Sequence, residues 1–164
     1  SAKLFTPSKT AGTASLHSRR DSFLEARQQT CAEVEINTVR IDDVLAEHGI
    51  TCVDFMKLDI EGHELEALRG ASRSLADGTI KALAFEFGSG NINSRTYFRD
   101  FFDLLRPLGY AIYRILPSSA LLPIETYYED CEYFRGVSNY VAVLEKPANG
   151  GAAKAPNGNG SRPP

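Results

Sequence analysis

Apolar and polar positions alternate with two different periods along residues 34–144, and this pattern predicts an α/β fold. Apolar runs or period-two alternation predict five strands, at residues 33–40, 51–59, 79–87, 110–116 and 138–144. An acidic first turn or apolar spacing of three and four predicts three helices, at residues 41–49, 61–78 and 93–109. The third predicted helix has Ser94 as its candidate N-cap. Strands and helices therefore alternate along most of the chain.

Both ends of the chain lack this pattern. Residues 1–33 are polar with isolated apolar positions, so we predict a weakly structured lead-in or linker. Residues 146–164 contain four glycines, four prolines and no aromatic residue. Such a segment cannot bury enough apolar surface to offset the entropy lost on ordering. We therefore predict a folded domain over residues 34–145, followed by a disordered tail.

Composition and charge exclude several classes of protein. The chain has 164 residues and 43% hydrophobic content, which suits one packed domain. Its formal net charge of −3 gives no electrostatic reason to expect nucleic-acid binding. No apolar run approaches the roughly 20 residues of a membrane span, and no secretory signal opens the chain. The three cysteines fit neither a disulfide framework nor a zinc site, so we expect reduced thiols and a cytoplasmic protein.

The stretch KLDIEGHE, residues 57–64, places several ionisable groups directly after an apolar strand. Because side chains alternate along a strand, Lys57 and Asp59 share one face, and Glu61 lies just beyond the strand. Ligands of open α/β sheets bind outside the carboxyl ends of the strands. Gly62 permits a tight turn or the close approach of a ligand. Two interpretations stay open: Asp59 or Glu61 caps the next helix and Lys57 pairs with one of them, or these groups line a site.

These residues also carry a family resemblance. The segment VDFMKLDIEGHELEALRGA resembles the FkbM family of S-adenosylmethionine-dependent methyltransferases. The upstream segments AGTASLHSR and TVRIDDVL and the downstream strand IKALAFEF are similar to family segments in the same order. The resemblance covers residues 12–144. The positions that match the central pattern are Lys57, Asp59, Glu61, Gly62, Glu64, Leu68, Gly70 and Ala71.

The resemblance implies a Rossmann-like class I methyltransferase sheet, of which we expect only strands four to seven here. Three βα units of about 30 residues each, with the cofactor's glycine loop, would precede Ser1. The chain would then be the C-terminal part of a catalytic domain. Glu86-x-Gly88-x-Gly90 imitates such a loop, but the acid expected about 20 residues later is missing until Glu125. We therefore expect Gly88 and Gly90 to shape a loop.

The implied activity is methyl transfer from S-adenosylmethionine, most often to a hydroxyl oxygen of a small molecule or saccharide. We expect Asp59 to act as base or orienting acceptor, Glu61 to be its neighbour and Lys57 to balance their charge. Glu86 would face the same cleft. Asp59 and Gly62 would contact the cofactor.

Three further expectations complete the prediction. No metal site is expected, because His63-Glu64 lacks the second histidine of a zinc-protease helix at Ala67. The run ETYYEDCEYF, residues 125–134, either packs against the sheet or covers a bound acceptor as a lid. An incomplete sheet would expose an edge through which copies self-associate. The alternative function is a non-catalytic α/β interaction module that keeps the half-fold as a scaffold.

Overall fold

The computed structural model describes residues 1–6, 14–17, 32–133 and 137–145. The predicted tail at residues 146–164 lies outside the described residues. The described strands are β1 (Ala2–Thr6), β2 (Ala32–Ile36), β3 (Met56–Leu58), β4 (Ala82–Gly88), β5 (Tyr110–Ile115), β6 (Leu121–Ile124) and β7 (Val137–Leu144). The described α-helices are α1 (Ile41–Glu47), α2 (Glu64–Arg69), α3 (Ser72–Ala76), α4 (Ser89–Ser94) and α5 (Phe98–Leu105). Two 3₁₀ turns follow at Arg106–Leu108 and Glu129–Glu132.

Five strands form one mixed sheet in the order β3-β4-β7-β5-β6, which confirms the predicted α/β class. β3 and β4 are parallel, whereas β7 runs antiparallel to both β4 and β5. Leu58 is the register partner of Phe85. Asp59 and Glu86, the residues after this pair, therefore lie side by side at the carboxyl edge of the two strands. β1 and β2 form a separate antiparallel ribbon.

Aromatic side chains fill the space between the sheet and α5. The rings of Phe85 and Phe101 stack with centroids 4.6 Å apart, and Phe85 also stacks on Tyr140. The hydroxyl of buried Tyr110 donates to the carbonyl of Ile80 at 2.6 Å. Burial raises the pKa of Tyr110 to about 12. These contacts anchor β4, whose carboxyl end carries part of the site.

The prediction of one helix over residues 61–78 is wrong, because this segment forms two helices, α2 and α3. The carbonyl of Gly70 accepts a hydrogen bond from the backbone N–H of Asp42 at 3.0 Å. The buried carboxylate of Asp42 then accepts from the backbone N–H groups of Arg73 and Ser74, each at 3.0 Å. Asp42 lies in the acidic first turn of its own helix, as predicted, and it also caps the start of α3.

The helix predicted over residues 93–109 is likewise divided, and the prediction that Ser94 is its N-cap is wrong. Ser94 is the last residue of α4. The first amides of α5 are bound by a distant carboxylate: Glu132 accepts from the N–H of Phe98 at 2.7 Å and of Arg99 at 3.1 Å. A single-residue signal could not show this cap, because it comes from 34 residues downstream.

Strand boundaries also differ from the prediction, first at residues 33–40, where β2 ends at Ile36. The strand expected at residues 51–59 is reduced to β3, preceded by an isolated bridge between Val53 and Ile80. The segment between the last two predicted strands, where no strand was predicted, contains β6, which forms a hairpin with β5. β1 lies within the lead-in, where no strand was predicted.

The aromatic run after β6 divides between the core and the surface. Cys131 is buried in the core, and Tyr127 packs against Phe102 with ring centroids 6.3 Å apart. Tyr128 and Tyr133 are exposed by 45% and 73%. Part of the run therefore packs as expected, and its role as a lid stays a prediction.

Candidate active site

The turn between β3 and α2 is held in shape by Glu64. This side chain is buried, and its Oε1 accepts hydrogen bonds from the backbone N–H of Ile60 at 3.0 Å and of Gly62 at 3.3 Å. A carboxylate that binds two amides of one turn restricts its backbone, as an N-cap does. Neither Asp59 nor Glu61 caps α2, whose N-cap position is His63 with no side-chain bond. The capping interpretation of those acids is therefore wrong.

Two close backbone contacts fix the same turn from outside. Glu61 adopts a left-handed conformation with φ 56°, and its carbonyl accepts from the hydroxyl of buried Ser15 at 2.8 Å. A Cβ on Gly62 would lie 2.4 Å from the carbonyl oxygen of Gly90. Non-glycine residues with positive φ cost energy and occur often at functional sites. The strained residue Glu61 is therefore held between the hydrogen bond from Ser15 and the close backbone contact with Gly90.

The four charged residues predicted for the site come together at this edge. Lys57 Nζ donates to Asp59 Oδ2 at 2.8 Å, and this contact raises the pKa of Lys57. Burial raises the pKa of Glu86, and the neighbouring carboxylates of Asp59 and Glu61 raise it further, while Lys57 opposes them. Like charges in a partly buried position disfavour ionisation. Glu86 therefore retains a proton more readily than an exposed glutamate does.

A cavity of about 400 Å³ opens beside the turn. Its volume lies within the range of small-molecule sites. Its wall is apolar on the side of the β1–β2 ribbon and polar on the side of the turn. The lining residues are Leu4, Ala14, Leu16, Ile36, Asp59, Ile60, Glu61 and His63. The N-terminal segment, which was expected to be weakly structured, therefore contributes three of these eight residues, Leu4, Ala14 and Leu16.

A histidine pair lies at the same turn. His63 Nδ1 and His17 Nε2 are 3.4 Å apart, so one ring donates to the other. Burial and then the nearby His63 lower the pKa of His17. Sequence reasoning considered these histidines only as metal ligands and missed their contact. Within the described residues, no group of three or more potential ligands is placed to hold a metal ion.

Two buried polar atoms behind the turn have no hydrogen-bond partner within the described residues. They are Glu64 Oε2 and Asn91 Nδ2. Both residues line a cavity of only about 20 Å³, which also touches Glu61 and Glu86. A space of that size accommodates a single water rather than a ligand. The 400 Å³ cavity is therefore the larger candidate for ligand binding at this turn.

The glycines that imitate a cofactor loop lie where β4 passes into α4, and a close backbone contact explains Gly90. Gly88 ends β4, and its N–H donates to Asn91 Oδ1 at 2.9 Å. A Cβ on Gly90 would lie 2.9 Å from the backbone of Glu61 and Gly62. Gly62 itself is required by this contact and by its φ of 97°. Its predicted role in cofactor binding stays a prediction.

Sequence reasoning missed two residues that shape the site. Glu64 was matched only as part of a family pattern, and Ser15 lay in the family segment AGTASLHSR without an assigned role. The last residue of KLDIEGHE, Glu64, could have been recognised in this role, because an acid at the start of a helix often binds backbone amides. The role of Ser15 depends on a contact across 46 residues and has no local signal.

Comparison with known families decides the assignment. Residues 2–112 match the model of the methyltransferase FkbM domain, which is more than half of the chain. The chain belongs to the FkbM methyltransferase family. The residues of the FkbM pattern, Lys57, Asp59, Glu61 and Gly62, therefore lie at the end of β3 and in the following turn, which borders the 400 Å³ cavity.

One relative of this FkbM family chain is the 31-O-demethyl-FK506 methyltransferase FkbM of Streptomyces tacrolimicus, which is 38% identical over 50 residues. The matched stretch is 30% of this chain and only 19% of the relative. No solved structure matches the chain significantly. In the described part of the chain, no helix is both long and apolar enough to span a membrane.

Proposed function

We propose that this chain is the C-terminal part of a class I methyltransferase domain that uses S-adenosylmethionine. It would carry strands four to seven of the family sheet, with the glycine loop on the preceding part of the domain. The observation that carries the proposal is the convergence of the FkbM-pattern residues Lys57, Asp59 and Glu61 with Glu86 at one sheet edge, within the matched family region. The parallel pairing of β3 and β4 supports it, because that pairing brings both carboxyl ends to the edge.

The chemistry of the cavity suits this cofactor. S-adenosylmethionine, when bound, supplies a methyl group on a positively charged sulfur. Carboxylates such as Asp59 and Glu61 attract a positive charge and accept hydrogen bonds from ribose hydroxyls. The apolar wall from Leu4, Leu16 and Ile36 offers contact for a flat apolar ring. Asp59 and Gly62 would be the cofactor-binding residues, as the family pattern implies.

The acceptor would be a hydroxyl of a small molecule or saccharide. The name of the relative, which describes an O-demethylated compound, supports oxygen as the atom methylated. Asp59 would take the proton from the hydroxyl as its oxygen becomes the nucleophile, or would orient that hydroxyl. The hydrogen bond from Lys57 Nζ, at 2.8 Å, would hold the Asp59 carboxylate in position for such a role. Glu86 would receive or hold a proton beside it.

The proposal is tested on a longer protein that restores about 90–100 upstream residues, the length of three βα units. Calorimetry measures the binding of S-adenosylmethionine, and transfer of a labelled methyl group to a hydroxyl acceptor measures activity. Asp59→Asn should reduce turnover by about 10²-fold or more if Asp59 acts as the base. Asp54→Asn, which neutralises an exposed carboxylate before β3, is the matched control and should leave turnover unchanged.

Two outcomes would contradict the proposal. A folded, restored domain that binds no cofactor would favour the alternative, a non-catalytic module that keeps the scaffold. Full turnover in both Asp59→Asn and Glu61→Gln would remove these residues from the mechanism while leaving the family assignment intact.

A further inference from the structure

A second cavity, of about 440 Å³, lies between the C-terminal half of α4 and the start of α5. Phe87, Ile92 and Tyr97 form its apolar wall. Ile92 and Tyr97 are 67% and 64% exposed, which is high for side chains of this size and type. The cavity volume again lies in the small-molecule range. This part of the surface therefore offers an apolar body a place to bind.

Arg95 stands at the rim of this cavity in a strained conformation. Its φ is 57°, in the left-handed region that glycine adopts without cost and other residues do not. Within the described residues, its guanidinium has no ion pair or hydrogen bond. An arginine at a helix end that would be more stable with glycine indicates a use for the side chain.

The other ionic group of the cavity, Glu132, is already satisfied. Its two oxygens accept from the N–H groups of Phe98 and Arg99, and Oε1 also accepts from the hydroxyl of Tyr127 at 3.0 Å. The positive end of the α5 dipole offsets its charge. Arg95 is therefore the group of this cavity that can attract an anion.

We propose that the 440 Å³ cavity binds the methyl acceptor, and that this acceptor combines an apolar body with an anionic group held by Arg95. Asn91 lines both this cavity and the small cavity beside Glu61, so the two regions adjoin. The assignment of this cavity to the acceptor rests on the proposed methyl transfer. The binding of an apolar anion in the cavity does not depend on methyl transfer, and it is tested without cofactor.

The test is a pair of titrations followed by ¹H–¹⁵N NMR on the chain itself. The probes are 4-phenylbutyrate and its neutral analogue 4-phenylbutan-1-ol. We expect shifts at the amides of Ile92, Arg95 and Tyr97, and a Kd for the anion about three- to fivefold lower than for the alcohol, as one exposed ionic contact gives at low salt. Arg95→Gly should abolish this preference, and Arg95→Lys should retain part of it.

Stability provides the second measurement. Arg95→Gly should raise Tm, because it relieves the positive φ. Ser119→Gly is the matched control: Ser119 also has a positive φ, 64°, but lies in the β5–β6 turn. It should raise Tm without changing either titration. Equal Kd values for the two probes, a preference that survives Arg95→Gly, or shifts centred on another surface would overturn the proposal. Any of these results would leave the proposal of methyl transfer standing. Equally, failure of the longer protein to bind the cofactor would not affect the outcome of these titrations.

Discussion

Asp42 is the residue whose replacement tests the energetics of the fold most directly. Its residue surface is only 3% exposed. Oδ1 accepts from the backbone N–H of Ser74 at 3.0 Å and from its hydroxyl at 2.7 Å, while Oδ2 accepts from the N–H of Arg73 at 3.0 Å. Asp42→Asn keeps the shape of the side chain but replaces one oxygen with an NH₂ group. The new NH₂ group then faces a backbone N–H group of Arg73 or Ser74, which is also a donor, at the start of α3.

The magnitude follows from these contacts. A hydrogen bond to a charged group contributes about 1.5–3 kcal/mol, and a buried donor without a partner costs about 1–3 kcal/mol. The loss of a helix cap alone costs about 1 kcal/mol. Because the remaining oxygen keeps one set of contacts, we expect the free energy of unfolding to fall by about 2–4 kcal/mol. For a domain of this size, Tm should fall by roughly 10 °C.

The effect should depend on pH with a definite sign. Burial alone would raise the pKa of Asp42, but the hydrogen bonds from Ser74 and Arg73 outweigh it and hold the pKa below its usual value. A carboxyl with a lower pKa in the folded state stabilises the fold above its unfolded pKa. This contribution is lost as pH falls through the folded pKa. The difference between wild type and Asp42→Asn should therefore shrink at acidic pH.

Urea unfolding followed by circular dichroism, at pH 7 and at several lower values, measures both effects. Asp43→Asn is the matched control, because Asp43 is the adjacent acid but its side chain is 64% exposed. It should leave stability unchanged within error. If Asp42→Asn were as stable as wild type at pH 7, or if the difference grew on acidification, the assigned role of Asp42 would be wrong.

Three further predictions concern other contacts. Gly62→Ala should prevent stable folding, because the new Cβ would overlap the Gly90 carbonyl. Gly49 also has a positive φ but has open space around it, so Gly49→Ala should lower the free energy of unfolding by only about 1 kcal/mol. Thermal unfolding of the two variants measures this difference. Glu132→Gln should lower the free energy of unfolding by about 1 kcal/mol, because it weakens the cap of α5. The control is Glu33→Gln at an exposed position, and an equal change in both variants would contradict the prediction. The chain should self-associate through the edge of β3, measured by light scattering during gel filtration; a strictly monomeric chain at high concentration would exclude this.

The strands that the apolar pattern predicted well are β4, β5 and β7, which lie in the interior of the sheet. β4 and β7 bury mostly alternate side chains, whereas β5 buries its first three in succession. Such burial leaves a strong apolar signal in the sequence. The two helix breaks could not be predicted, because each depends on a partner distant in the chain. Gly70 bonds to Asp42, and the start of α5 bonds to Glu132. Local propensity cannot report such contacts.

The candidate site shows the same division. The proximity of Asp59 and Glu86 was predictable, because parallel neighbouring strands end at one edge. The ion pair between Lys57 and Asp59 followed from their shared face. The anchoring of the turn by Ser15 and Gly90, by contrast, brings together three separate parts of the chain. Only the folded structure relates them.

The contact between Gly62 and Gly90 limits how this protein can change over evolution. Both sides of the contact are main chain, so neither position has a side chain that could shrink to accommodate a larger residue opposite. A substitution at one glycine therefore cannot be rescued by a compensating substitution at the other. Diversification of ligand preference must then occur in the walls of the two large cavities, while the joint between the turn and α4 stays invariant.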